Sequence, residues 1–158
     1  LSQMIEEIIA PVRNFGVQLD TQLSGDQSEP SLTRNPAILY GLSNIIENAV
    51  DFARSLVTVS GGWSHEQVHI IIEDNGPGFP LEILARLGEP YVTSRSARRS
   101  AKMDEGGLGL GLFIAKTLLE RSGASMTTAN APAPEHGARV EVTWPRASFE
   151  RKPRKIEL

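Results

Sequence analysis

The stretch from Asn35-Pro36 to Ser55 carries the longest helical pattern in the chain, and it dictates what the rest must supply. Proline suits the first turn of a helix, where its missing N–H costs nothing, so the helix is expected to begin at Pro36. At about 100° per residue, Ile38, Leu42, Ile45, Ile46, Ala49, Val50, Ala53 and Leu56 fall within an arc of about 140°. A helix with one apolar face has to cover a second layer. Strand patterns supply that layer. Val17, Leu19, Thr21 and Leu23 alternate with polar neighbours, and residues 57–60 and 67–73 read as a hairpin about Gly61-Gly62-Trp63-Ser64. The run Val68, Ile70, Ile71, Ile72 suggests a central strand, and two more strands are expected near 125–129 and 138–144. Further helices are expected over 3–13, capped by Ser2, over 81–87, and from Leu108 to Ser122 before Gly123. The order predicts an α/β chain of the α+β two-layer kind, a mixed sheet covered by helices on one face.

At 158 residues, the length fits one domain with a sizeable core. The absence of cysteine excludes disulfides, thiolate zinc sites, cysteine nucleophiles and a thiol switch within this segment. No apolar run approaches the roughly 20 residues that cross a bilayer, so no direct membrane contact is expected. Arg146 to Leu158 hold five basic and two acidic residues, which leaves 11 basic against 17 acidic over residues 1–145. A body of that sign argues against nucleic acid as a partner. The domain is therefore expected over 1–145, with 146–158 a basic, disordered tail. The chain opens on Leu1, which reads as a piece of a longer protein.

Three groups of residues could carry chemistry. Asn44, Asn48 and Asp51 lie at i, i+4 and i+7, opposite the apolar face; amide oxygens suit a hard cation such as Mg²⁺, and a solvated helix face is the plain alternative. Asp74-Asn75-Gly76-Pro77-Gly78-Phe79 follows the central strand directly, where a carboxylate can accept a hydrogen bond from an exocyclic amine; a tight turn is the simpler reading. Gly106-Gly107-Leu108-Gly109-Leu110-Gly111-Leu112 runs into a helix whose first N–H groups can bind phosphate oxygens, or else it is a flexible hinge. Between them, residues 88–107 show weak periodicity, as a functional lid or a disordered segment does, and carry Arg95, Arg98, Arg99 and Lys102, which are ordinary solvated charges or a screen for phosphates. His65, His69 and His136 form no metal-ligand pattern.

Taken in order, Asn44-xxx-Asn48, Asp74-x-Gly76-x-Gly78, Glu89-Pro90-Tyr91 and Gly107-x-Gly109-Leu110-Gly111-Leu112 resemble the N, G1, F and G2 boxes of sensor histidine kinase ATP-binding domains. The wider group, with gyrase, Hsp90 and MutL, implies a Bergerat (GHKL) fold with ATP under a flexible lid. In detail, the stretches from Glu47 to Ala53 and from Gly88 to Arg95 resemble the RegB/PrrB redox-responsive sensor kinases of photosynthetic proteobacteria.

The resemblance implies Mg²⁺ and ATP as cofactors, with Asn48 the Mg²⁺ ligand and Asn44 its phosphate-side neighbour. It makes Asp74 the reader of the adenine amine and puts Gly76 and Gly78 beside the base. Gly107, Gly109, Gly111 and the amides near Leu110 would hold phosphates, while Tyr91, Thr93, Ser94 and Arg95 fall where lid residues touch the nucleotide. One position departs: many members carry a basic residue where this chain has Asp51, which leaves that contact to Arg95 or Lys102. ATP-hydrolysing relatives place a glutamate base where Asn44 stands, and an amide cannot accept that proton. Slow hydrolysis and transfer to a histidine follow as expectations. The acceptor would lie on a dimerisation (phosphoacceptor) domain outside this chain, with a response regulator downstream. The domain would be cytoplasmic and its parent anchored in the inner membrane. The alternative is a regulatory module whose ATP-closed lid controls partner docking without phosphoryl transfer.

Overall fold

A computed structural model of the chain describes residues 1–87 and 108–150. Along the chain come α1 (Ser2–Ile9) with a 3-10 turn (Ala10–Val12), β1 (Gln18–Gly25), α2 (Pro36–Phe52), β2 (Leu56–Trp63) and β3 (Gln67–Asp74). There follow α3 (Leu81–Leu87), α4 (Leu108–Arg121), β4 (Ser125–Asn130), β5 (Ala138–Pro145) and α5 (Arg146–Phe149). The strands form one five-stranded sheet in the order β1-β2-β3-β5-β4, parallel between β1 and β2 and antiparallel elsewhere. The expected mixed sheet, covered by helices on one face, is what the chain forms.

Period-two alternation sets the inner face. Val68, Ile70 and Ile72 of β3 are buried, as are Val57 and Val59 of β2 and Val140, Val142 and Trp144 of β5. The opposite face is polar: Arg139 donates to Glu73 at 2.7 Å across the β3–β5 pair and lies 3.6 Å from Glu141. Helix α2 lies over the inner face through Ile38, Leu42, Ile45, Ile46, Ala49 and Val50. Its start is as expected, with Pro36 in the first turn and Asn35 accepting the Ala37 N–H at 3.0 Å. Helix α4 packs on it closely, since a Cβ at Gly41 would lie 2.7 Å from Leu119. At the far end Gly111 approaches Asn48, so the two helices run antiparallel.

Four expectations need correction. The first helix starts at Ser2, with Leu1 in the capping position and no side-chain cap. It tightens to a 3-10 turn after Ile9, because Pro11 has no N–H for the α-helical bond. Helix α2 stops at Phe52 rather than near Ser55: Asn75 Oδ1 accepts the N–H groups of Arg54, Ser55 and Leu56 at 3.0, 3.0 and 3.1 Å, holding them outside the helix. Gly61 and Gly62 lie inside β2, not in a turn. The Leu23 side chain covers Gly61 and the His69 ring covers Gly62, where a Cβ would meet them at 2.7 and 2.5 Å. The turn is made at Ser64, whose N–H donates to Gln67 O at 2.9 Å.

Nor does the chain leave the body at Pro145. Phe149 is fully buried, edge-on to Trp144 with ring centroids 5.2 Å apart. Arg146 donates to Ser64 O at 3.0 Å through its side chain and to Glu66 O at 2.7 Å through its backbone, tying α5 to the β2–β3 turn. The expected disordered tail is therefore ordered through Glu150, and 151–158 fall outside the described residues.

Candidate functional site

Asp74 continues the inward phase of Ile70 and Ile72 at the last position of β3, where it pairs with Val57. A carboxylate thus stands at what would otherwise be a core position. Its Oδ1 accepts the N–H of Gly76 at 2.8 Å and, more weakly, that of Ala138 at 3.4 Å. Burial pushes its pKa above the ordinary aspartate value, and those two hydrogen bonds oppose the shift without cancelling it.

Asp74 opens into a cavity of about 430 Å³ beneath α2. Ile45, Asn48, Ala49 and Phe52 line it from α2, Ile72 and Asp74 from β3, Ala138 and Val140 from β5, Leu112 from α4, and Pro77 to Pro80 from the loop after β3. A mostly apolar cavity of this size with a few polar groups is what a small flat ligand requires. Asn48 is half-buried, and a Cβ on Gly111 would lie 3.6 Å from its Nδ2, so the amide stands beside the N-terminal turn of α4.

The structure therefore brings Asp74, Gly78 and Asn48 to one cavity, with Gly111 alongside. Asn44 lies one turn before Asn48, half-buried and outside the lining. Gly76 faces the backbone of α2 instead: a Cβ there would lie 2.1 Å from the Phe52 carbonyl oxygen. Leu110 is half-exposed in the first turn of α4, and Gly109 lies in the same turn. Asp51 is exposed on α2. Tyr91, Thr93, Ser94, Arg95, Lys102 and Gly107 lie outside the described residues. His65, His69 and His136 lie away from the cavity lining.

Sequence reasoning missed the residues that hold the site in shape. Asn75 clamps the end of α2 to the loop after β3; the Asn75-Gly76 pair reads simply as a turn. Asn130 hydrogen-bonds both backbone groups of Phe79, and Gly137 sits against the Asp74 carbonyl. Buried Lys116 donates to the Leu87 carbonyl at the end of α3 and lies 3.9 Å from Glu120. Apart from the i,i+4 pair of Lys116 with Glu120, no local pattern marks these contacts, because each partner is distant in sequence or a backbone atom.

A carboxylate thus stands at the end of the central strand, under a helix that brings an asparagine beside the start of a second helix. Residues 35–148 match the family of histidine kinase-, DNA gyrase B- and HSP90-like ATPases, and the chain belongs to it. Sensor histidine kinase RegB of Cereibacter sphaeroides is 43% identical over 160 residues, covering 92% of this chain and 35% of RegB. Sensor protein RstB of Escherichia coli is 29% identical over 146 residues, covering 92% of this chain and 32% of RstB. The chain thus spans about a third of the length of these curated relatives. Among solved structures, the mycobacterial sensor histidine kinase MprB superposes with a TM-score of 0.67 at 21% identity, covering 91% of this chain and 94% of that one. The catalytic domain of histidine kinase ThkA gives 0.65 at 19% identity, covering 92% and 93%. The fold is that of histidine kinase catalytic domains.

Proposed function

We propose that this chain is the ATP-binding catalytic domain of a RegB-like two-component sensor kinase, which passes the γ-phosphoryl group of ATP to a histidine on a separate dimerisation domain, for relay to a response regulator. The observation that carries the reading is Asp74, a half-buried carboxylate at the wall of an apolar cavity whose polar edge is Asn48 beside α4.

Adenine offers an exocyclic amine as donor, whereas guanine offers a carbonyl oxygen at the same place. An ionised Asp74 accepts from the first and repels the second. Ile45, Ala49, Ile72 and Leu112 enclose the base in apolar surroundings that keep water from competing for that bond. Asn48 and the N–H groups opening α4 then receive the triphosphate, where the positive end of the helix dipole favours negative charge.

The residues present fit Mg²⁺ as an ion held largely by the nucleotide. Among the described residues no cluster of three His, Cys, Asp or Glu side chains could hold a metal, while the Asn48 amide oxygen is a hard donor at the phosphate end. Bound there, Mg²⁺ neutralises charge on the phosphates. Asn44, an amide, offers no base for activating water, so the chain holds its nucleotide until a nucleophile arrives. With His65, His69 and His136 away from the cavity, this reading puts the acceptor on another segment.

The test is transfer in trans. The chain is incubated with a RegB-type dimerisation domain, magnesium and ATP labelled at the γ-phosphate; acid-labile, base-stable label on that domain is expected, and far less with Asp74→Asn. ATP binding without any transfer would favour the regulatory module.

A further inference from the structure

The loop that walls the cavity is held from outside. Asn130, at the end of β4, reaches across to a residue 51 positions earlier: its Oδ1 accepts the Phe79 N–H at 2.7 Å and its Nδ2 donates to the Phe79 carbonyl at 2.9 Å. One carboxamide thereby pairs with both backbone groups of one residue, as a neighbouring strand would. Gly78 makes the approach possible. It adopts φ +83, and a Cβ there would lie 2.8 Å from Asn130 Oδ1. The β4–β5 loop is itself closed by Ala131 N–H donating to Gly137 O at 2.9 Å, and Gly137 seats against the Asp74 carbonyl, where a Cβ would come within 1.8 Å. The loop carrying Asp74, Gly78 and Phe79 is thus interlocked with the loop from Asn130 to Gly137.

We infer that Asn130 is a positioning residue for the base end of the cavity: without lining it, Asn130 fixes Gly78 and Phe79, which do, relative to Asp74. The inference rests on the nucleotide reading above. Loss of the clamp lets the wall sample wider arrangements, and apparent affinity falls with the fraction that remains competent. Two hydrogen bonds of ordinary net strength correspond to a change of about tenfold. The phosphate end, on α2 and α4, is untouched by Asn130, so turnover at saturating ATP is expected to hold.

Asn130→Ala and the isosteric Asn130→Asp, which loses the donor to the Phe79 carbonyl, are compared with the parent and with Asp74→Asn. The readouts are calorimetric Kd for ADP and ATP, KM and kcat for transfer in trans, and the melting temperature without nucleotide. Both Asn130 variants are expected to raise Kd and KM about tenfold, with kcat within about twofold and melting within a few degrees of the parent. Kd within twofold of the parent while Asp74→Asn weakens binding overturns the positioning role and leaves the nucleotide reading standing. A kcat loss at unchanged KM also overturns it. Should Asp74→Asn bind as the parent does, both readings fall. If Asn130→Ala does not fold, Asn130→Asp decides between the same outcomes.

Discussion

Asp74 is held where ionisation is costly: burial raises its pKa, and the Gly76 and Ala138 amides offset that only in part. The sign of the consequence follows from linkage. A raised carboxyl pKa favours the neutral form in the folded chain, so the associated stability is present at low pH and is lost as pH rises through the folded-state value. Asp74→Asn removes that penalty and is expected to melt above the parent at neutral pH, with the gap closing as pH falls; calorimetric scans at a series of pH values check it. Binding goes the other way, because an adenine amine needs the ionised acceptor. The parent should bind ATP about tenfold more tightly than Asp74→Asn near neutrality, the difference between a charged and a neutral acceptor. That advantage should disappear as pH falls through a range above the usual carboxylate values, and an affinity ratio independent of pH would remove Asp74 from the role. At the phosphate end, Asn48→Ala should abolish the gain in affinity that magnesium gives, read by titration with and without the ion. The position of Asp74 at the strand's end was legible because the Asp74-to-Phe79 stretch follows the central strand directly. Asn130 was not, since its partner is the backbone of a residue 51 positions away.

At the scale of elements, the ends of helices and strands depend on contacts that periodicity does not record. The apolar stripe of α2 located the helix, and its seven buried positions, Gly41 apart, are those expected. Its last turn was misplaced because Asn75, on a different loop, captures three successive amides. Asn75→Ala should therefore cost about 2 kcal/mol of folding stability by urea titration, the net worth of a few partly exposed hydrogen bonds, and loosen the junction between α2 and β2. A loss below about 0.5 kcal/mol would mean that water replaces the carboxamide without penalty. The strand β2 was read too short for a related reason. Gly61-Gly62 has the composition of a turn, yet here the missing side chains make room for Leu23 and His69 from neighbouring strands.

Over the whole molecule, the order of elements sufficed for a mixed sheet with one helical face, because α2 shows one apolar stripe and the central strand buries Val68, Ile70 and Ile72 on a single face. The far boundary was not legible: the basic composition after Pro145 conceals Phe149, whose ring completes the core against Trp144. Phe149→Ala should cost about 3–5 kcal/mol, the usual cost of deleting a buried aromatic ring, and a chain ending at Pro145 should unfold at lower urea than one reaching Glu150. The functional account rests on one cavity joining Asp74 to Asn48 and α4. Its most direct test is calorimetric titration of the chain with magnesium and ATP, ADP or GTP. The account predicts one site per chain for both adenine nucleotides and about tenfold or weaker binding of GTP, whose carbonyl faces the Asp74 carboxylate. Equal affinity for GTP, or no heat with any of the three at millimolar concentration, would contradict it.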